Sequence, residues 1–137
     1  MKELTIEART ENLDDVIAFV SGEHEKLGCG MKQQMQIEVS VEEIFVNIAH
    51  YAYTPEVGEA TICIDTEGDS TVILIFKDSG VPYNPLAKPD PDITLSAEER
   101  QIGGLGIFMV KKNMDDVKYE HLDGHNILTL TKRLDIK

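Results

Sequence analysis

Apolar and polar positions along the chain change period several times, and each change marks an element. Leu4-Thr5-Ile6-Glu7-Ala8 alternates as a half-buried strand does. After Asn12, a helix N-cap candidate, Leu13, Ile17 and Val20 recur at helical spacing, and Gly28 and Gly30 end that run. A second helix is predicted from about Lys32 to Tyr53, with Ile37, Val41, Ile44 and Ile48 on one apolar stripe at steps of four, three and four. Thr54-Pro55 closes it. Ala60 to Thr66 and Thr71 to Lys77 are β-rich strands joined by Glu67-Gly68-Asp69-Ser70, a hairpin.

From Ser79 to Ile102 the periodicity disappears. Pro82, Pro85, Pro89 and Pro91 break any long helix, leaving one candidate turn with a capping-box pattern at Ser96-Ala97-Glu98-Glu99. A connection of that length in a small domain suggests a functional lid. Gly106 to Met114 is again helical, and Val117 to His121 and Ile127 to Lys132 form a second hairpin across Asp123-Gly124. The order is strand, two helices, two strands, loop, helix, two strands. Hairpin connections with helices enough for one face imply an α+β fold: a two-layer α/β sandwich on a mixed, mostly antiparallel sheet.

Length and composition narrow the picture. With 137 residues and 42% hydrophobic content, residues 1–137 make one domain with one core. No apolar run is long enough to span a bilayer and no signal-peptide core is present, so the expected location is cytoplasmic. Cys29 and Cys63 have neither metal-type spacing nor the density of a disulfide framework. The formal net charge of −12 opposes nucleic-acid and membrane partners. It leaves room for a magnesium nucleotide, which needs only local donors.

Three segments carry candidate chemistry. In Glu42-Glu43-Ile44-Phe45-Val46-Asn47-Ile48-Ala49-His50, Glu43 and Asn47 stand four apart and share a helix face. The carboxylate can take a proton and the carboxamide oxygen can ligate a hard cation. Taken alone, each reads first as a solvated helix residue; the pair is what points to a site. His50 is on the same stripe, with a site role and a structural hydrogen bond both open. Asp78-Ser79-Gly80 ends an apolar strand. As a tripeptide it is an ordinary turn, but Asp78 can also accept a hydrogen bond from the exocyclic amine of adenine while Gly80 keeps the backbone clear. Gly103-Gly104-Leu105-Gly106 precedes Ile107-Phe108-Met109-Val110, so its amides can meet phosphate oxygens at a helix start. No Gly-Lys-Ser/Thr follows, which excludes a Walker A loop. Arg100, just upstream, suits a terminal phosphate or a surface pair with Glu98 or Glu99.

A carboxylate- and Asn-bearing helix, an Asp-x-Gly after a strand, a lid, and a Gly-x-Gly opening another helix together resemble the GHKL ATPases over roughly residues 33 to 132. Within them the chain looks most like the small bacterial anti-sigma-factor serine/threonine kinases. The likeness rests on Glu43 to Tyr53, Asp78 to Pro85 and Gly103 to Met114. The resemblance implies the Bergerat ATP-binding fold, ATP with Mg2+, and a homodimer. It implies Glu43 as general base, Asn47 as magnesium ligand, Asp78 and Gly80 as adenine contacts, and Gly104 and Gly106 as the phosphate loop supported by Gly103. Arg100 would face the terminal phosphate. Histidine kinases usually have Asn where Glu43 stands. The chain departs from the family at His125-Asn126, where a Gly-Thr pair is common whose threonine helps bind adenine; Asn126 is the substitute on offer. The implied activity is phosphorylation of an anti-anti-sigma protein, with a sigma factor as a further partner. The rival expectations are an ATP-gated binding switch that transfers no phosphate, and a stand-alone histidine-kinase-like ATPase.

Overall fold

The computed structural model of the protein describes residues 2–27, 30–52, 58–68, 70–81 and 104–134. Five strands form one sheet: β1 (Lys2–Glu7), β2 (Glu59–Glu67), β3 (Thr71–Asp78), β4 (Asp116–Leu122) and β5 (His125–Arg133). Their spatial order is β1-β2-β3-β5-β4. The α+β class and the helix-on-sheet layering agree with the pattern of apolar positions. Every described ladder is antiparallel, so the parallel pairing expected of a mixed sheet is not found among the described residues. The reason is topological: β5 enters beside β3 running the opposite way, and the other three pairs are the β2–β3 and β4–β5 hairpins and β1 laid antiparallel against β2.

Alternation fixes which side of each strand meets the helices. Ala60, Ile62 and Ile64 of β2, Val72, Leu74 and Phe76 of β3, and Leu128 and Leu130 of β5 are buried in one cluster. Above them lie α1 (Leu13–Leu27), α2 (Met31–Asn47) and α3 (Gly104–Asn113), contributing Val16 and Val20, then Ile37, Val41, Ile44 and Phe45, then Ile107 and Val110. The predicted Ile37-Val41-Ile44-Ile48 stripe is the buried face of the second helix. Burying side chains of this size contributes about 1.5–3 kcal/mol each before chain entropy is counted.

The turns follow their residues. Asp123 and Gly124 both have positive φ (53° and 80°), as a two-residue hairpin loop of the primed type requires. Gly68 supplies φ 66° between β2 and β3. At the helix ends the structure departs from the sequence pattern. Asn12 does not cap α1; it closes the 3-10 turn Thr10–Asn12 and donates its side-chain amide to the Glu7 carbonyl at 3.0 Å. Gly30 begins α2, with extended φ and ψ. The second helix is α-helical only to Asn47 and then widens into a π-helical turn, Ile48–Ala52. A wider turn carries His50, which is exposed, off the line through Glu43 and Asn47 that uniform helix geometry would give. Cys29, the lid and its capping-box segment, and Thr54-Pro55 lie outside the described residues.

At the far end of α3, buried Lys132 donates its ammonium to the Asn113 carbonyl at 2.6 Å. A cation on the last helical carbonyls meets both an orphan acceptor and the negative end of the helix dipole. No helix among the described residues is long and apolar enough to cross a membrane.

Candidate functional site

Asp78 ends β3 on the helix-facing side of the sheet and pairs in register with Asn126 at the start of β5. Both are buried, 8% and 7% exposed, among hydrocarbon neighbours. Buried polar groups require partners. Asp78 Oδ1 accepts from the backbone N–H of Gly80 and from Asn126 Nδ2, each at 2.9 Å. The first of these is an Asx turn, so the bland reading of Asp-Ser-Gly is true and accounts for one carboxylate oxygen. Among the described residues no donor reaches the other, Oδ2. A buried acceptor left open at a strand end is what an amine-bearing ring needs, and it fits adenine.

Asn126, which stands where the family commonly has threonine, is held by hydrogen bonds on both sides of its carboxamide. Its two N–H donors go to Asp78 Oδ1 and to the Val81 carbonyl, both at 2.9 Å, and its Oδ1 accepts from the Tyr119 hydroxyl at 2.5 Å. Tyr119 escaped the sequence reading. The signal was present: the Asp123-Gly124 turn sets the β4–β5 register, which puts Tyr119 opposite Leu128 and one diagonal from Asn126 on the same face.

Glu43 and Asn47 sit one turn apart on α2, both partly buried and both flanking the buried stripe. Neither makes a side-chain hydrogen bond among the described residues. Burial, and then the charge of neighbouring Glu42, push the Glu43 carboxyl above the ordinary glutamate range. Those are conditions for a proton acceptor rather than for a solvated surface charge. The Asn47 carboxamide offers the neutral oxygen that a hard cation such as magnesium takes, with phosphate oxygens as its other ligands.

Gly104 is the first residue of α3 and Gly106 lies in its first turn. The helix therefore starts two residues earlier than Gly106, and the glycines are its opening turn. The free amides of a helix's first turn are groups that can meet phosphate oxygens. α3 packs on α2, so the glycine turn and the Glu43–Asn47 helix belong to one layer. Gly103 and Arg100 lie outside the described residues. The structure thus joins Asp78, Gly80 and Asn126 by hydrogen bonds and puts Glu43 with Asn47 on one helix. A groove lined by Glu3, Thr61, Cys63, Lys77 and His125 opens on the outer face of the sheet and reaches Asp78 and Ser79 at the strand end.

Comparison with known proteins agrees with this geometry. Residues 6–132 match the family described as the histidine kinase-like ATPase domain. The chain belongs to that family. Curated relatives include the serine-protein kinases RsbW of Bacillus mycoides strain KBAB4 and of Bacillus cereus strain ATCC 10987, each 28% identical over 130 residues, covering 92% of this chain and 81% of theirs. Among solved structures, the RsbU and RsbW domains of a Mycobacterium tuberculosis protein superpose with a TM-score of 0.66 at 18% identity, over 98% of this chain and 33% of that one. The SiaB–SiaC complex of Pseudomonas aeruginosa gives 0.58 at 15% identity, over 94% and 88%. As a histidine kinase-like ATPase domain the chain has the five-stranded sheet and helical layer these structures share.

Proposed function

We propose that this histidine kinase-like ATPase domain is an ATP-dependent serine/threonine protein kinase of the anti-sigma-factor type, acting in the cytoplasm on an anti-anti-sigma protein. The observation that carries the reading is Glu43: a half-buried carboxylate with a raised pKa and no hydrogen-bond partner among the described residues, one turn before Asn47. The names of the RsbW relatives support it.

In this account Asp78 Oδ2 receives the adenine amine, Gly80 leaves room for the ring, and the amides at Gly104 and Gly106 meet the phosphates. Asn47 would hold magnesium, which when bound neutralises phosphate charge and fixes the phosphate geometry. By the family resemblance, Arg100 and Gly103 are assigned to phosphate binding in the same proposal. Glu43 takes the proton from the partner's hydroxyl as that oxygen forms its bond to the γ-phosphorus. The bond from the γ-phosphorus to the β,γ-bridging oxygen breaks, and its electron pair leaves with ADP. The protein's contribution is position and charge, which is most of what phosphoryl transfer asks. Sequestration of a sigma factor and a homodimeric state belong to the same proposal.

The test is a transfer assay with labelled ATP on a partner captured from the source cell. Acid-stable phosphoserine or phosphothreonine, lost in Glu43→Gln, is expected. ATP-dependent capture with no transfer would replace the kinase by an ATP-gated switch. Acid-labile phosphohistidine, or phosphate release without partner, would move it to the histidine-kinase-like or ATPase readings.

A further inference from the structure

We infer that Asn126 and Tyr119 are positioning residues that aim the Asp78 carboxylate, so that adenine specificity in this chain is set by a side-chain relay and not by a direct contact from the start of β5. The inference rests on the nucleotide reading above and deepens it.

The orientation of each group in the relay is forced. Asn126 faces two acceptors, Asp78 Oδ1 and the Val81 carbonyl, each 2.9 Å from its nitrogen. Turning the carboxamide over would set its oxygen against both, so the nitrogen is fixed on that side. The oxygen must then look toward β4, where the Tyr119 hydroxyl donates to it. With both N–H groups taken, Asn126 has no donor left for a purine. Its effect on a bound base passes through Asp78.

That effect is specific. Two donors converge on Oδ1, from Asn126 and from Gly80, and pin the plane of the carboxylate. Among the described residues Oδ2 has no donor, so it can accept from the exocyclic amine of adenine and opposes the carbonyl that hypoxanthine or guanine carries there. The Val81 bond also ties the relay to the point where the chain leaves β3. Without Asn126 the carboxylate keeps only its Asx turn, and either oxygen can rotate into that bond.

The experiment uses the full chain and compares ATP with inosine triphosphate by titration calorimetry in magnesium buffer. Asn126→Ala is expected to weaken ATP about tenfold while changing inosine triphosphate less than about threefold, and Tyr119→Phe to weaken ATP about threefold in the same selective way. In the nucleotide-free protein, the Asn126 side-chain amide protons should exchange slowly in wild type and faster in Tyr119→Phe by NMR. Equal losses for both nucleotides would make the residues merely structural and overturn the inference. So would ATP affinity within twofold of wild type in a folded Asn126→Ala, or in Tyr119→Phe if the alanine variant does not fold. A wild-type chain without ATP affinity, or one in which Asp78→Asn changes nothing, overturns the nucleotide reading and this inference with it. A wild type sensitive at Asp78 but indifferent at Asn126 and Tyr119 overturns the inference alone.

Discussion

Replacing Asp78 by asparagine exchanges one oxygen for an NH2 group, and the structure dictates which one. Gly80 N–H and Asn126 Nδ2 both donate to Oδ1, so the carboxamide oxygen of the variant must stay there and its NH2 must take the place of Oδ2. Folding should change little: two hydrogen bonds survive without charge assistance, a loss of about 1 kcal/mol, which lowers Tm by about 5 °C in a domain of this size. Binding should change greatly. The acceptor facing the adenine amine becomes a donor, which removes a charge-assisted hydrogen bond of about 1.5–3 kcal/mol and leaves a donor unmet at about 1–3 kcal/mol. With some relief from water, a net loss of about 3–4 kcal/mol weakens ATP by two to three orders of magnitude. Calorimetric titration of a non-hydrolysable ATP analogue, beside a thermal melt, reads both numbers. ATP affinity within about threefold of wild type in a folded Asp78→Asn would refute the reasoning, because no alternative rotamer can hide the new donor.

Glu43→Gln should keep ATP affinity within about threefold while cutting transfer by about 10²-fold or more in a single-turnover assay. Its stability carries a pH signature. Burial and Glu42 raise the folded-state pKa of Glu43 above its unfolded value, so between those two values the folded chain binds more protons, and stability falls as pH rises through the window. The variant should therefore equal or slightly exceed wild type in urea melts at pH 8, the difference vanishing below about pH 4. Lys132→Met keeps the buried stem but loses the ammonium on the Asn113 carbonyl, for an expected cost of about 1–2 kcal/mol seen as a lower urea midpoint at unchanged m. Phe45→Ala, at a fully buried position, should cost about 3–5 kcal/mol by the same measurement.

Local signals made most of the fold legible. The Ile37-to-Ile48 stripe declared the buried face of α2, and Asp123-Gly124 declared a hairpin that the two positive φ values bear out. What stayed hidden depends on contacts between distant segments. No local pattern tells β5 to enter antiparallel to β3, and that single choice makes Asp78 and Asn126 partners. Asn12 looked like a cap because its side chain can bond backbone, as it does, but its amide serves the Glu7 carbonyl and not the helix. The π-helical turn after Asn47 was equally invisible, since its residues have ordinary helical character. Glu43, Asn47, Asp78 and Gly80 are candidates by residue type, spacing and family resemblance, all of which are readable along the chain. Tyr119 was missed because its partner is defined only once the strand register is known.

The central claim is that one magnesium nucleotide bridges β3, α2 and the start of α3, and a crystal structure with a non-hydrolysable ATP analogue and magnesium tests it most directly. The account predicts the adenine amine within hydrogen-bond reach of Asp78 Oδ2, Asn47 on the metal, and the γ-phosphate turned toward Glu43. An analogue seated on the outer face of the sheet, or an adenine ring whose amine points away from Asp78, would contradict it.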